Sequence, residues 1–518
     1  MWPAGFVVGG LLLFLAYLKQ ASTLPVMSDG ASNALQAWDM LHGNLLLRGW
    51  TLTDISFYTL DLPEYMLTEA ARGLGTSAAD LASALTYTLV VVGAALLAKG
   101  RADGREGVVR MLLAAGIMLA PPLGGTSSTL LNDPDHTLTQ VPLLLVWLLL
   151  DRARPRWQVP VAVTVLLAWA GVADPLVAYE GVLPLVAVCA FRLYRRRERL
   201  IGHLREYWYE LALGVGAVVS AGIAEVALRL IRQAGGFTVT PPDTMFSAVD
   251  AVASHLAITV ESILVVFGAD FSKQQLGPHA GIALVHLAGV ALAAWAVARV
   301  LRRFAASELA VQVLAVAMIA LLAAYTFSGS PNIVGGPHEI VGVLPIGAVL
   351  AGRLLAGQLI RGRHLTALAA VLACYGLVLA HDVVQPPSYD TNGQLAAVLR
   401  THHLKYGLAT YWNASSVTVD SGGQVAVRPV NRNTSGQVDA VQRDTVASWF
   451  DPRQHYANFL VLPRPHLSCV QGSPRQWLDQ VTAQFGPPAA TYKAAGYTVM
   501  VWNENLLSLI APAQGTAC

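Results

Sequence analysis

The chain has 518 residues, of which 54% are hydrophobic and only 13% are charged, and its formal net charge is +2. Because about a quarter of the residues of a soluble globular protein are charged, this composition excludes a soluble protein and indicates an integral membrane protein. No polybasic tail or basic stripe for nucleic acid is present, so we expect no nucleic-acid partner.

Eleven apolar runs approach the roughly 20 residues that a membrane-spanning helix needs. The first run lacks a cationic n-region and a small-residue cleavage site, so we expect a retained transmembrane helix and not a signal peptide. The sequence therefore predicts an all-α polytopic membrane domain over residues 1–381. The runs cover residues 5–18, 81–98, 108–123, 137–150, 159–172, 176–191, 209–231, 281–301, 309–327, 340–355 and 365–380.

The loops between these runs differ in charge. One set is rich in Arg, as in RLYRRRERLIGHLR, whereas the segments 127–137 and 328–339 contain no Arg or Lys. Since basic loops stay in the cytoplasm, we predict a cell-membrane protein with a cytoplasmic N-terminus. An odd number of crossings then makes residues 382–518 extracytoplasmic. The predicted outer loops are 20–80, 124–137, 232–280 and 328–339.

Residues 382–518 predict a small α/β domain. The segment SVTVDSGGQVAVRPV predicts two strands around a Gly-Gly turn, and NFLVLP and YTVMVW predict further strands. The segments NGQLAAVLRTH and PRQWLDQVTAQFG predict helices. Cys469 and Cys518 lie on the predicted oxidising side, and the sequence leaves open whether they form a disulfide or remain two free thiols.

Acids and histidines gather where the predicted outer loops begin or end. A charge is costly inside a bilayer, but acids at one membrane face are hydrated by interfacial water and do not carry this cost. Their position alone therefore does not establish a function. Each residue therefore has a structural and a functional interpretation. The candidates are Asp29, Asp133, Asp135, His136, Asp174, His338 and Glu339.

Asp29 precedes an amphipathic helix and either caps that helix or takes part in catalysis at the membrane surface; the two roles are compatible. Asp54 and Asp61 are interpreted as helix caps. The motif NDPDH is typical of a turn, but two carboxylates two residues apart, Asp133 and Asp135, also suit a divalent cation such as Mg²⁺ or Mn²⁺.

The other candidates also have two interpretations. His136 and His338 are either hydrogen-bonding loop residues or ligands, and Asp174 in VADPL is either a turn acid or part of a binding site.

The segment after the first transmembrane run has an Asp just beyond that run, followed by an amphipathic helix, a Gly-containing turn and a Pro-Tyr element. In these features it resembles the first outer loop of the GT-C glycosyltransferases. The matching segments are SDGASNALQAWDMLHGNLLLRGW and LPEYML. The nearest pattern is that of the protein O-mannosyltransferases and the lipid A aminoarabinose transferase. NDPDH resembles the acidic motif in the second outer loop of several members. The chain departs from the mannosyltransferases where Gly30 follows Asp29, since they usually have Asp-Glu there.

The resemblance implies a membrane transferase that moves a hexosyl or pentosyl group from a polyprenyl-phosphate-linked donor to an envelope glycan, lipid or protein. It implies Asp29 as the catalytic base and inversion at the anomeric carbon. The growing charge of the leaving phosphate is expected to be stabilised either by a divalent metal on Asp133 and Asp135 or by the cations Arg48, Arg229, Arg232 and Lys273. Expected substrate-binding residues are Arg48, Tyr65, His136, Asp174, His338 and Glu339.

Two other functions remain open at this point. A non-catalytic transporter or lipid flippase would carry ionisable groups along a path through the membrane, and Glu180 and Glu225 are the best candidates for such groups. A non-enzymatic relative of the glycosyltransferases would instead bind cell-wall polymer through its outer domain.

Overall fold

The computed structural model describes residues 2–132, 135–197, 206–240, 245–271, 277–329, 331–332, 336–362, 364–433, 435–462 and 474–511. Four residues of the sequence analysis lie outside these ranges: Asp133, Lys273, Cys469 and Cys518.

The membrane part is helical, and a helix lies over each of the eleven predicted apolar runs. Seven of the described helices are long and apolar enough to cross a membrane, which confirms a polytopic membrane protein. The helices are α1 (Trp2–Ala21), α2 (Ser28–Leu41), α3 (Asp61–Arg72), α4 (Thr76–Lys99), α5 (Gly104–Met118), α6 (Gly125–Leu131), α7 (Gln140–Arg152), α8 (Gln158–Ala173), α9 (Leu183–Arg195, after a π-helical turn Ala178–Val182), α10 (Trp208–Gln233), α11 (Val252–Val266), α12 (Pro278–Arg302), α13 (Leu309–Phe327), α14 (Gly336–Glu339), α15 (Val343–Arg361), α16 (Leu365–Val383), α17 (Thr391–Thr401), α18 (Tyr411–Asp420) and α19 (Pro474–Phe485).

Contacts at the helix ends define two faces of the helical part. Helices α1 and α16 end together, where the Ser388 amide donates to the Thr23 carbonyl at 2.7 Å; we call this the first face. Helices α4 and α7 end together at the opposite, second face, where the Arg152 guanidinium bonds the Leu96 carbonyl. The C-terminal domain therefore lies at the same face as the loop that follows α1.

Helix α11 lies inside the predicted outer loop 232–280 and belongs to one of the seven apolar candidates, Val249–Val266. Just before it, the Ser247 amide bonds Phe327 at the end of α13 (2.8 Å). Near its end, Thr126 of α6 donates to the Val265 carbonyl (2.7 Å). Both places lie at the first face, so we infer that α11 runs along that face. The other eleven apolar helices then alternate between the faces.

The strands are β1 (Trp50–Leu52), β2 (Thr238–Val239), β3 (Tyr406–Thr410), β4 (Ala426–Arg432), β5 (Val438–Ala440), β6 (Thr445–Val446), β7 (Phe459–Leu462), β8 (Ala490–Ala494) and β9 (Tyr497–Val501). Six of them form a mixed sheet in the order β5-β4-β3-β7-β9-β8. Alternate residues of β7 face opposite sides: Phe459 packs with α17 and α18, and Leu460 packs with α19. This three-layer unit confirms the predicted small α/β domain.

One predicted strand is wrong. The alternating residues SVTVD, 416–420, form the end of α18, while the second half of that prediction is strand β4. Val417 and Val419 are both fully buried, the first against the sheet and the second against α2 and α3. Burial on two sides suits a helix between two layers, and this packing overrides the strand propensity of β-branched residues.

A second, three-stranded sheet joins the two parts of the chain. Its order is β2-β1-β6, with β1 from the first loop, β2 from the segment after α10 and β6 from the C-terminal domain. Thr51 pairs with Thr238 on one side and with Thr445 on the other. The residues just before β6 are thereby fixed beside the first loop.

An ion pair between Asp151 and Arg353 links α7 to α15, and both side chains are 4% exposed. We expect Asp151→Asn to destabilise the protein by about 3–5 kcal/mol, because it leaves a buried guanidinium without its main counter-charge. The melting temperature of the purified protein in detergent measures this loss. Asp103→Asn is the control, since Asp103 is 97% exposed in its pair with Lys99. Equal melting temperatures of the two variants would contradict the prediction.

Candidate functional site

Asp29 lies in the first turn of α2 and does not cap it. The N-cap is Met27, and no side chain makes a capping bond there. Instead, the Asp29 carboxylate accepts a hydrogen bond from the Tyr411 hydroxyl at 2.5 Å and lies 3.6 Å from the Arg443 guanidinium. The predicted catalytic acid is therefore held by the C-terminal domain.

Small residues allow this contact. Helix α2 buries Gly30, Ala31, Ser32 and Ala34, so α18 packs closely against it, and the Ser32 hydroxyl donates to the Ser415 hydroxyl at 3.0 Å. The contact brings the first residue of α18, Tyr411, to the first turn of α2.

The Tyr411 hydroxyl lies between two carboxylates. Besides Asp29, it contacts Asp444 Oδ2 at 2.8 Å, and Gln36 donates to Asp444 Oδ1 at 3.2 Å. A phenol has one proton to donate, so one of its two contacts requires a proton on a carboxyl group. Burial raises the pKa of Asp444 to about 6.

Arg443 completes this group from the residue before Asp444. Its guanidinium lies 4.8 Å from the centre of the Tyr411 ring. Burial alone would lower its pKa, but the charges of Tyr411, Asp29 and Asp444 outweigh burial and raise the pKa. Arg443 is therefore a permanent positive charge next to Asp29.

A second group forms where the loops before α7 and after α8 meet. His136 Nδ1 lies 2.8 Å from Asp174 Oδ2, and the Thr139 hydroxyl donates to the same oxygen at 2.7 Å. The Leu176 amide donates to the other oxygen at 2.8 Å. Asp174 is 0% exposed and His136 is 2% exposed, so the imidazole has a fixed orientation.

The His136–Asp174 pair is ionised. Burial alone would lower the pKa of His136, but the charges of Asp174, Asp135 and Glu339 and the hydrogen bond to Asp174 raise it well above its usual value. Burial would raise the pKa of Asp174, yet the charge and hydrogen bond of His136 lower it. His136 is thus an imidazolium near neutral pH.

The second ring nitrogen of His136 connects the remaining acids. Nε2 is buried without a hydrogen-bond partner and lies 3.8 Å from Asp135 Oδ1 and 3.8 Å from Glu339 Oε2. Burial raises the pKa of Asp135 to about 7; the charge of His136 opposes this shift, and those of Asp29, Glu339 and Asp174 add to it. The charge of Asp29 also acts on Asp135, which links the two groups of side chains electrostatically.

The remaining residues predicted to bind substrate or the leaving phosphate lie in different environments. Tyr65 is fully buried in α3. His338, beside Glu339, has its pKa lowered to about 4 by burial and by the charge of His136, so it is neutral. Arg48 is exposed. Arg229 and Arg232 contact Glu225, which is 51% exposed, at 2.7 and 3.8 Å.

The predicted metal ligands are Asp133 and Asp135. Asp133 lies outside the described residues. Within the described part of the chain, no group of three or more His, Cys, Asp and Glu side chains is arranged to hold a metal ion. Of the two predicted cation ligands, Asp135 is the one that lies within the described residues.

The sequence analysis missed Tyr411, Arg443 and Asp444. They lie about 400 residues from Asp29 along the chain, and no local motif marks them. The interpretation of Asp61 as a cap is also wrong: the N-cap of α3 is Leu60, without a side-chain bond, and both carboxylate oxygens of Asp61 are buried without a hydrogen-bond partner.

Comparison with solved structures identifies the fold. The crystal structure of ArnT from Cupriavidus metallidurans in the apo state matches with a TM-score of 0.56 and 16% identity, and the match covers 99% of each chain. ArnT from the same organism bound to undecaprenyl phosphate matches with a TM-score of 0.59 and 15% identity, again over 99% of each chain. No family model matches the chain, and no curated protein matches it by sequence. The chain therefore shares the fold of these ArnT structures over nearly its whole length.

The His136–Asp174 pair predicts a pH-dependent stability. Because the pKa of His136 is raised in the folded state, its protonated form contributes to the free energy of unfolding. This contribution is complete at pH values below the ordinary pKa of 6.5 and is lost as pH rises through the folded-state pKa. The lowered pKa of Asp174 contributes fully above 3.8 and is lost as pH falls through the folded-state pKa. The difference in melting temperature between wild type and His136→Gln should be largest between about pH 4 and 6.5 and shrink at alkaline pH.

The exposed His364 provides the control for this series. His364→Gln should show no such pH-dependent difference from wild type between pH 4 and pH 9. A His136→Gln difference that stays constant over this pH range would contradict an ionised pair.

Proposed function

We propose that the protein is a membrane glycosyltransferase that uses a polyprenyl-phosphate-linked sugar. One observation carries the proposal: on a GT-C fold, side chains from distant loops and from the C-terminal domain gather at the first face, where Asp29 also lies. They come from α2, from the segments 135–139 and 174–176, from α14 and from the turn before β6.

The donor class is supported by the chemistry of the position. An ArnT structure holds undecaprenyl phosphate, and a polyprenyl tail has to remain in the bilayer while its phosphate reaches the interface. A site at the ends of apolar helices meets both requirements. We place the first face outside the cell membrane, with the C-terminal domain extracytoplasmic, and take the acceptor to be an envelope glycan, lipid or protein.

In the proposed reaction, Asp29 accepts the proton of the acceptor hydroxyl as its oxygen attacks the anomeric carbon. The bond from that carbon to the phosphate oxygen breaks, and its electron pair leaves with the polyprenyl phosphate. A single displacement inverts the anomeric configuration. A well-placed general base contributes roughly 10²–10⁴-fold to the rate.

The leaving phosphate needs positive charge that is fixed before the reaction. We assign this role to the His136 imidazolium, whose Nε2 faces Asp135 and Glu339 without a hydrogen-bond partner. The predicted Mg²⁺ or Mn²⁺ at Asp133 and Asp135 would add charge at the same place. Arg443 instead lies beside the base, 3.6 Å from the Asp29 carboxylate.

The transporter or flippase interpretation is less well supported. Glu225 forms an exposed ion pair with Arg229 on α10, so it does not mark a path through the protein. Glu180 is buried, but it follows Asp174 by six residues and belongs to the acids at the first face.

Asp29→Asn should abolish sugar transfer while the protein remains folded in the membrane, because an amide cannot accept the acceptor proton. Transfer from a polyprenyl-phosphate sugar to an envelope extract measures activity, and size exclusion in detergent reports folding. Asp39→Asn on the same helix is the control, since Asp39 binds the Trp50 indole at 2.7 Å and takes no proton from substrate. Activity of Asp29→Asn near the wild-type level would remove Asp29 as the base.

Tyr411→Phe should lower kcat/KM for sugar transfer by at least about tenfold, because the Asp29 carboxylate loses a hydrogen bond worth about 1.5–3 kcal/mol that orients it. A purely structural defect would lower the melting temperature in detergent together with the activity, whereas we expect a nearly unchanged melting temperature. Tyr406→Phe in the same domain is the control, since Tyr406 is 51% exposed. Wild-type activity of Tyr411→Phe would show that Tyr411 does not act through Asp29.

A further inference from the structure

A pocket of about 350 Å³ lies at the second face, between α5, α12, α13 and α15. Four arginines line it, Arg110, Arg299, Arg303 and Arg353, together with one acid, Glu308. The lining therefore has a formal charge of +3, from four cations and one anion. None of these residues belongs to the site around Asp29.

The acids near the pocket neutralise only two of the arginines. Arg353 is bonded to Asp151 and lies 3.4 Å from Glu308, which is 76% exposed. Arg110 pairs with Glu106 at 2.7 Å, and its Nε is buried without a hydrogen-bond partner.

The other two arginines keep their charge available. Arg299 lies 5.1 Å from the centre of the Trp295 ring, and among the described residues no acid forms an ion pair with it or with Arg303. Counting Asp151 and Glu106 with the lining still leaves a net charge of +1.

The wall of the pocket is held in place. Arg192 bonds the Gln312 side chain at 2.7 Å and the Ser307 carbonyl at 3.2 Å, and Gln312 in turn donates to the Phe304 carbonyl at 2.5 Å. Arg195 donates to the Ala305 carbonyl at 3.2 Å. The turn between α12 and α13 is thus fixed before any ligand arrives, which lowers the entropic cost of binding.

The position of the pocket favours a lipid. Arg353 lies ten residues beyond the first-face end of α15, or about 15 Å along the helix axis, and its Nε donates to the Leu97 carbonyl near the end of α4. Val300, Val311 and Leu354 line the same pocket. Arginines that only follow the positive-inside rule extend from loops into water, whereas these converge on a cavity with an apolar side.

We propose that this pocket binds the phosphate headgroup of an anionic phospholipid in the leaflet at the second face. The phosphate would lie between Arg299, Arg303 and the free Nε of Arg110, and the acyl chains would extend past the half-buried Leu354 into the bilayer. Guanidinium groups match phosphate oxygens through paired hydrogen bonds. The proposal stands independently of the reaction at the first face.

The full-length protein in neutral detergent is titrated with dioleoyl phosphatidylglycerol, with the zwitterionic dioleoyl phosphatidylcholine and with soluble glycerol phosphate. Binding is followed by native mass spectrometry and by the shift in melting temperature. We expect saturable binding of phosphatidylglycerol and, in the variant Arg299→Gln/Arg303→Gln, affinity weaker by at least about tenfold.

Two further variants keep the test decisive. Arg299→Lys/Arg303→Lys preserves the charge and should bind phosphatidylglycerol more tightly than the Gln variant. Arg101→Gln/Arg105→Gln removes two exposed charges near the second face outside the pocket and should bind like wild type. Unchanged binding by Arg299→Gln/Arg303→Gln would overturn the site, and binding of glycerol phosphate as tight as that of the lipid would overturn the lipid as its ligand.

Discussion

The position of Asp29 depends on a close approach of two helices from opposite ends of the chain. Helix α2 presents Ala31 and Ser32 to α18, and the strand pairing of β6 with β1 fixes Arg443 and Asp444 next to Asp29 and Tyr411. A larger side chain on α2 would separate the helices and remove the Tyr411 hydroxyl from Asp29. The C-terminal domain is therefore part of the site and not an appendage to it.

The density of acids at the first face sets a second constraint. Several carboxylates in a poorly hydrated pocket cannot all ionise. Burial raises the pKa of Glu64 to about 8, although Thr86 donates to it at 2.6 Å, and burial, together with Glu64, Asp135 and Asp174, raises the pKa of Asp61 well above its usual range. Glu64 therefore holds a proton at neutral pH, and the pKa of Asp61 is shifted in the same direction. The face is therefore less negative than its composition suggests, and an anionic phosphate can approach the fixed charge of His136.

Hydropathy predicted the helices well because each crossing has to bury its own backbone in an apolar segment. The loops containing Asp29, His136, Asp174 and Glu339 were expected at one face because alternating crossings bring every second loop there. The contribution of Tyr411, Arg443 and Asp444 was not predictable, since it depends on how the C-terminal domain docks. The strand predicted at 416–420 failed for the same reason: the burial of α18 on two sides comes from that docking.

Helix α11 shows how an element outside the predicted pattern positions the site. It packs on α13 through the contact of Thr259 with Thr326 at 2.9 Å, and it lies against Gly336 at the start of α14. A side chain at Gly336 would overlap the Tyr325 hydroxyl and come close to Ser262, so only glycine lets α14 fit between α11 and α13. Glu339 ends this short helix, and its 3.8 Å separation from His136 therefore depends on a helix that runs along the membrane face. By composition alone, α11 could be a membrane-spanning helix. The contacts at its two ends are what show that it lies along the membrane face.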